Sequence, residues 1–273
     1  MENEIKINTG PHYRVAVCLS GQSRTWERAA KNIKWFFNNN LTILGSRNID
    51  VDYFFHSWDV NHWRDHSFEP HPGIKEKHNQ ENDIVTEYSP KAYMFENFDQ
   101  KKFPRAWDPL FYSHHQSLML KRGFEIDQDF EYDFVFKARF DVIYSPNITL
   151  HIHDLTPGCC YTPSLSKFPR EFNYNNFDDV MFYGDSKTMD MVGDLYFSYK
   201  FIHTPREIAK DEKHPSVFYG PGCLLYEHIT DLGFLPRTTE CGYSVLRRLF
   251  PSSLDTIDDY DELHELGVKW YAK

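Results

Sequence analysis

The chain has 273 residues, 41% hydrophobic and 17% aromatic, enough for one large core or one core with a small subdomain. It carries 30 Lys and Arg against 40 Asp and Glu, a formal net charge of -10. That balance argues against a general nucleic-acid binder and against a basic membrane-surface protein, and no apolar run is long enough to cross a bilayer.

Residues 1–12 read as a polar lead-in around Gly10 and Pro11, without the apolar stretch of a secretory leader. Residues 13–19 are apolar and β-branched, a buried strand. Trp26, Ala29, Ala30, Ile33, Phe36 and Phe37 then recur at spacings of three and four. This predicts an amphipathic helix, with Ser23 or Thr25 as its cap and Glu27 in its first turn. A second strand over 51–55 ends at His56-Ser57-Trp58-Asp59. Two strands separated by a helix predict a βαβ unit and a parallel sheet.

Residues 60–90 are polar and weakly periodic and read as a long surface excursion. Residues 91–95 suit a short strand. In the next helix Asp108 is the expected cap, Pro109 the first position, Lys121 and Arg122 the last turn, and Gly123 the stop. The run YDFVFK, 132–137, predicts a strand that continues into 138–144. A short strand over 180–183 follows Asp178 and Asp179. Gly184 turns the chain, and Ser186 caps a helix carrying Met189, Val192 and Tyr196. A late helix over 222–232 closes at Gly233. One α/β domain is expected over 13–250, with a mixed, mainly parallel sheet flanked by helices. An acidic tail, 251–273, is expected to pack on it. Five cysteines occur without a C-x-x-C pair, and each reads as a small buried hydrophobe, a reduced thiol in a cytosolic setting.

Two short stretches carry the chemistry. Ser20-Gly21-Gln22-Ser23-Arg24 lies at the mouth of the first strand. In an open α/β sheet ligands bind at the carboxyl ends of the strands. Gly21 lets backbone amides approach an anion, and Arg24 can grip a phosphate in fork geometry. The bland alternative is an ordinary βα turn. The second stretch is FKARFDVIY, 136–144. Arg139 and Asp141 stand two apart on extended chain and so point to one side. A carboxylate there can hold a divalent cation that clamps a diphosphate, with the arginine balancing it; the bland alternative is a surface ion pair.

Other residues weigh less. His62 and His66 have the i, i+4 spacing of helical zinc ligands, but their segment lacks the periodicity of a buried helix. His114, His115, His151 and His153 read as surface residues. Trp58, Trp63 and Trp107 can stack on a sugar or base, with core packing the plainer account of each.

Together, L-S-G-Q-x-R-T-W, F-x-H-x-W-D, Y-D-x-V-x-K-x-R-x-D and D-x-x-x-x-G-D-S-x-x-M-D resemble GT-A-type glycosyltransferases of the kind found in bacterial polysaccharide clusters and large DNA viruses. The resemblance covers about residues 13–235 and implies a GT-A-like, Rossmann-like fold. It implies transfer of a sugar from a UDP- or GDP-type nucleotide sugar to a glycan acceptor, with Mn2+ or Mg2+, in the cytoplasm (the host's, if the chain is viral). The family's D-x-D element matches Arg139-Phe140-Asp141, so the first acid is an arginine and Asp141 is the sole motif ligand for a metal. By the same resemblance Leu19, Ser20, Gly21 and Arg24 embrace the nucleotide, and His56 and Asp59 lie beside the base or ribose. Asp179 falls where an acceptor-binding or general-base carboxylate sits, and Asp178 competes for that role. His214 or His228 would complete a metal shell. Two alternatives stand beside this reading: a non-catalytic sugar- or partner-binding relative, and a metal-dependent phosphate-ester hydrolase built on Asp178 and Asp179.

Overall fold

A computed structural model describes residues 10–23, 26–61, 77–78, 81–103, 107–145, 149–153, 156–163, 165–167, 175–199, 221–239, 241 and 243–245. The chain begins with β1 (Tyr13–Gly21), α1 (Trp26–Asn39), β2 (Leu41–Ile43), β3 (Ile49–Trp58), β4 (Val60–Asn61) and β5 (Lys77–His78). It continues through α2 (Glu81–Tyr88), β6 (Ala92–Glu96), α3 (Asp108–Gln128), β7 (Phe134–Ala138), β8 (Val142–Tyr144) and β9 (Leu150–Ile152). Then come β10 (Cys159–Thr162), β11 (Leu165–Lys167), β12 (Asn175–Phe177), β13 (Phe182–Gly184), α4 (Ser186–Gly193) and α5 (Leu195–Ser198). The last described elements are α6 (Pro221–Asp231), β14 (Leu235–Thr238) and β15 (Tyr243–Val245).

Seven strands form one sheet in the order β14-β10-β13-β7-β1-β3-β6. β6, β3, β1 and β7 are parallel; β13 is antiparallel to β7 and to β10; β14 is parallel to β10. The central strands β1 and β7, buried on both faces, read as near-continuous apolar runs. Alternation then sorts them. Val15, Val17 and Leu19 pack with Ala29, Ile33, Phe36 and Phe37 of α1 in one core. Ala16 and Cys18 pack with Phe111 and Leu118 of α3, Met189 of α4 and Leu224 of α6 in the other. The architecture is α/β: a mixed, mostly parallel sheet between helices. All five cysteines are free and buried. Among the described residues no helix is long and apolar enough to cross a membrane.

The strand order reverses at β1. The chain steps outward from β1 to β3 to β6, then returns to the opposite side of β1 for β7. The carboxyl ends of β1 and β7 therefore flank a topological switch point, where such sheets open a crevice.

Several expectations are corrected. The excursion over 60–90 contains α2, which buries Ile84 and Tyr88 against the first core; its two turns are too short to give a clear period. Gly123 does not stop α3. The helix continues to Gln128 and ends at Asp129, whose φ of 54° is left-handed, with the Phe130 amide donating to the Glu125 carbonyl. A mid-helix glycine costs about 1 kcal/mol against Ala, which packing overrides here. Asp108 is the first residue of α3 rather than its N-cap, which is Trp107. Asp185, not Ser186, caps α4, accepting from the Thr188 amide at 2.9 Å. His114 and His115 are buried rather than exposed, whereas His151 and His153 do lie at the surface. Residues 1–9 of the lead-in, the tail 251–273, and Arg24, Thr25, His62, Trp63, His66 and His214 lie outside the described residues.

Candidate functional site

Strand register brings three chain segments to one sheet edge. Leu19 of β1 pairs with Ala138 of β7, so the turn that starts at Ser20 runs beside Arg139. Phe182 of β13 pairs antiparallel with Lys137, so Asp178 and Asp179, just ahead of β13, reach the same edge.

The β1 turn is built for a tight reversal. Gly21 has φ +102°, a region that favours glycine. Its amide donates to Ser113 Oγ on α3 at 2.6 Å. Ser113 in turn lies 2.8 Å from His56 Nδ1, and His56 Nε2 lies 3.3 Å from Glu96 Oε2. A proton on Nε2 would donate to Glu96, while the Ser113 hydroxyl stands within reach of both Nδ1 and, at 3.3 Å, the His56 carbonyl. Burial pushes His56 down to about 4, against the opposing pull of Glu96. The His56 ring, fully buried, thus ties β1, β3, β6 and α3 together. Asp59 is likewise part of the frame: its carboxylate accepts from the Phe98 amide at 3.2 Å, and its amide donates to the Glu96 carbonyl. The carbonyl of Ser23 accepts from the Trp26 amide at 3.1 Å, so it is the backbone of Ser23 that starts α1. The hydroxyls of Ser20 and Ser23 are buried and make no hydrogen bond among the described residues.

At the β7 tip the chain turns through Phe140 and Asp141. Arg139 Nε donates to Asp141 Oδ1 at 2.8 Å, and a terminal guanidinium nitrogen donates to Oδ2 at 2.7 Å. The same-side placement expected from their spacing is observed, as a bidentate pair. The Asp141 side chain is 1% exposed and that of Arg139 21%.

Asp178 and Asp179 sit in a turn rather than on a strand, so strict alternation does not separate them. Their environments do. Asp178 Oδ1 accepts from the Val180 amide at 2.8 Å, closing the turn. The Asp179 carboxylate is half-buried and makes no hydrogen bond or ion pair among the described residues, while its carbonyl accepts from the Lys137 ammonium.

Lys137 and His114 belong to this edge; from sequence Lys137 has no role beyond its place in the Y-D-x-V-x-K-x-R-x-D motif, and His114 reads as a surface residue. Lys137 lies on the α3 side of β7, with its ammonium 5.6 Å from the centroid of the Phe182 ring. It is fully buried and donates to the carbonyls of Asp179 and, at 3.4 Å, Val180. Burial pushes it down to about 7; Asp179 raises it and Arg139 lowers it further. His114 Nε2 is buried without a partner among the described residues, and its ring lies 6.1 Å from that of Phe182. Burial, then Lys137 and Arg139, hold it well below the usual histidine range. One signal for Lys137 was present: a lone cation inside the apolar run YDFVFK. Nothing local marks Ser113 or His114, whose surroundings come from the sheet.

Other candidates lie elsewhere. Trp58 is buried among Phe98, Phe103 and Tyr112, and Trp107 packs against the second core. His228 is held between Ser198 Oγ and the Met191 carbonyl, each at 3.1 Å.

Among the described residues, those at the edge do not assemble a ligand set for a divalent cation. Mn2+ or Mg2+ wants several oxygen ligands. Both oxygens of Asp141 face Arg139, and among the described residues no three His, Cys, Asp or Glu side chains gather to hold a metal. No family model and no curated protein matches this chain.

Proposed function

We propose that the protein is a glycosyltransferase that moves a sugar from a UDP- or GDP-type nucleotide sugar to a hydroxyl of a glycan acceptor, on a GT-A-like version of this Rossmann-like sheet. The observation that carries the proposal is the meeting of the β1 turn, the Arg139–Asp141 pair and the Asp178–Asp179 turn at the switch point of a mostly parallel sheet. Leu19, Ser20 and Gly21 supply the turn that faces the nucleotide, and His56 and Asp59 hold that turn's surroundings in place.

The chemistry follows from the charges. The acceptor hydroxyl attacks the anomeric carbon, the bond from that carbon to the diphosphate oxygen breaks, and the hydroxyl proton passes to a carboxylate. Asp179 suits the last role because its carboxylate is not spent on the turn, whereas Asp178 holds the turn itself. Negative charge grows on the leaving diphosphate beside Arg139, which stabilises the transition state most when water is excluded.

UDP or GDP should raise the melting temperature, and a donor sugar nucleotide should be slowly hydrolysed. Asp179→Asn should keep the thermal shift and lose about 100-fold or more in turnover, the usual share of a general base. The proposal fails if no nucleoside diphosphate shifts the melting temperature. The closed Arg139–Asp141 pair also favours a second reading, sugar-nucleotide binding without turnover. Binding that leaves every donor intact would select it. A metal-dependent phosphate-ester hydrolase fits less well, since Asp178 and Asp179 gather no third ligand among the described residues.

A further inference from the structure

We infer that the β1–β7 edge neutralises a diphosphate with the chain's own cations instead of a divalent metal, and that Asp141 is a positioning residue that aims Arg139. The inference rests on the nucleotide-sugar reading above and says how that site handles charge.

Three observations carry it. The first is the pairing at the β7 tip. A guanidinium has five N–H donors, and Arg139 spends two of them on the two oxygens of Asp141. A metal ion at Asp141 would have to displace this fork in a buried place and then sit beside the cation it displaced. Such like-charge crowding is poorly screened away from water. The carboxylate instead fixes the plane of the guanidinium, whose side chain keeps 21% of its surface exposed.

The second is the placement of cations on one face. Lys137 and Arg139 are two apart and lie on the α3 side of the sheet, where both act on His114. Lys137 is fully buried and bonded to backbone carbonyls, and no carboxylate lies within ion-pair distance of it among the described residues. An anion at this edge would meet both cations with little water between, beside the carboxylates of Asp179, Asp178 and Asp141, whose charges also act on Lys137.

The third is a set of waiting donors. Ser20, on the same strand face as Cys18, has a buried hydroxyl with no partner among the described residues, as does Ser23 in the turn. A buried polar group left unpaired is unfavourable, and anionic oxygens accept from hydroxyls. The acidic side chains nearby do not restore a metal shell. Asp178 is engaged in its own turn, and together with Asp141 and Asp179 it makes no ligand cluster.

The test uses the full chain and two probes, UDP and GDP, titrated calorimetrically in EDTA and again in Mn2+. The affinity of whichever nucleotide binds should agree between the two conditions within about twofold. Arg139→Gln should weaken binding about tenfold or more in both, as expected for loss of a charge-assisted contact. Asp141→Asn should weaken it less, and its effect should vanish in the Arg139→Gln background, because a positioning residue acts only through the group it positions. A merely structural role would lower the melting temperature without this coupling. If Asp141→Asn does not fold, the EDTA and Mn2+ comparison decides alone. Binding that requires Mn2+ overturns the inference and leaves the transferase reading standing. Binding in neither condition overturns both.

Discussion

Among the described residues two lysines, Lys121 and Lys137, are fully buried, and the chain treats them in opposite ways. Lys121 of α3 is enclosed by charge: its ammonium lies 2.7 Å from Glu125 and 2.7 Å from Asp190, and donates to Ser186 Oγ at 2.6 Å. Glu125 is itself completed by the Tyr132 amide and the Ser186 hydroxyl. Lys137 of β7, near the opposite end of the same helix, donates to the Asp179 and Val180 carbonyls, and among the described residues no carboxylate lies within ion-pair distance of it. A buried cation ringed by carboxylates is a fixed joint between α3, α4 and the loop before β7. A buried cation bonded to carbonyl dipoles, with Asp179, Asp178 and Asp141 acting on it only from a distance, keeps attraction for a passing anion. The first arrangement holds the frame, and the second stands at the sheet edge where the three loop tips meet.

Removing the two ammonium groups should therefore have unequal effects. Lys121→Met leaves Glu125 and Asp190 buried with their charges unbalanced, which should cost about 3–5 kcal/mol of stability. Lys137→Met releases a desolvated charge while leaving two carbonyls unbonded, and the terms should cancel to within about 1 kcal/mol. Urea unfolding of both variants at neutral pH checks this, and equal losses would dissolve the distinction. For nucleoside diphosphate affinity the order should invert. Lys137→Met should bind more weakly, and whatever Lys121→Met protein folds should bind normally.

A smaller perturbation reaches the Lys137 side through the backbone. A Cβ on Gly222, at the start of α6, would lie 2.2 Å from Asn176 Oδ1 and 2.3 Å from the Phe177 carbonyl. That contact braces the strand immediately ahead of the Asp178–Val180 turn. Gly222→Ala should cost about 1–3 kcal/mol through overpacking. It should also reduce nucleotide affinity by displacing the turn that Lys137 holds. Unchanged affinity in a destabilised variant would show that the turn and the anion site are independent.

How much of this could be read beforehand depends on how local the signal is. β1, α1 and β7 were legible because an apolar run and a 3.6-residue period are properties of neighbours in sequence. The shared side of Arg139 and Asp141 was legible for the same reason, since alternation needs only two residues. The end of α3 was misread because Gly123 is a local stop signal, while the contacts that hold Glu125 beyond it come from Ser186 of α4 and the Tyr132 amide in the loop before β7. The burial of His56 and His114 was invisible for a like reason. It depends on β1 lying between β3 and β7 with α3 across them, and no stretch of ten residues encodes a strand order. Asp59 is placed beside the base or ribose only by the resemblance, and in the fold its carboxylate accepts from the Phe98 amide of the next loop.

The lysine comparison also has a pH signature. Lys137 keeps its proton to pH 10.5 in the unfolded chain but only to about 7 in the fold. Between these values the unfolded chain holds more protons, so stability should rise with pH, by at most about 1.4 kcal/mol per pH unit. Below about 7 both states are protonated and the slope from this residue disappears. The difference in unfolding free energy between the natural protein and Lys137→Met, followed from neutral to alkaline pH, isolates the contribution. A flat difference would mean that Lys137 stays charged in the fold and that the carbonyls alone stabilise it.

The finest test concerns the joint that holds the β1 turn in place. Ser113 Oγ accepts from the Gly21 amide and lies 2.8 Å from His56 Nδ1 and 3.3 Å from the His56 carbonyl, so Ser113→Ala leaves the Gly21 amide and His56 short of a partner. The loss should be about 1–3 kcal/mol, toward the low end because Gly21 is only half-buried. The hydroxyl acts on the turn and on nothing in the Lys121 network. Its removal should therefore weaken nucleoside diphosphate binding in the natural background and in Arg139→Gln by the same factor. That additivity separates it from Asp141, whose effect runs through Arg139. Non-additive behaviour would mean that the β1 turn and the Arg139 guanidinium move as one unit, and the three-tip site would then be a single cradle rather than separate contacts on a rigid edge.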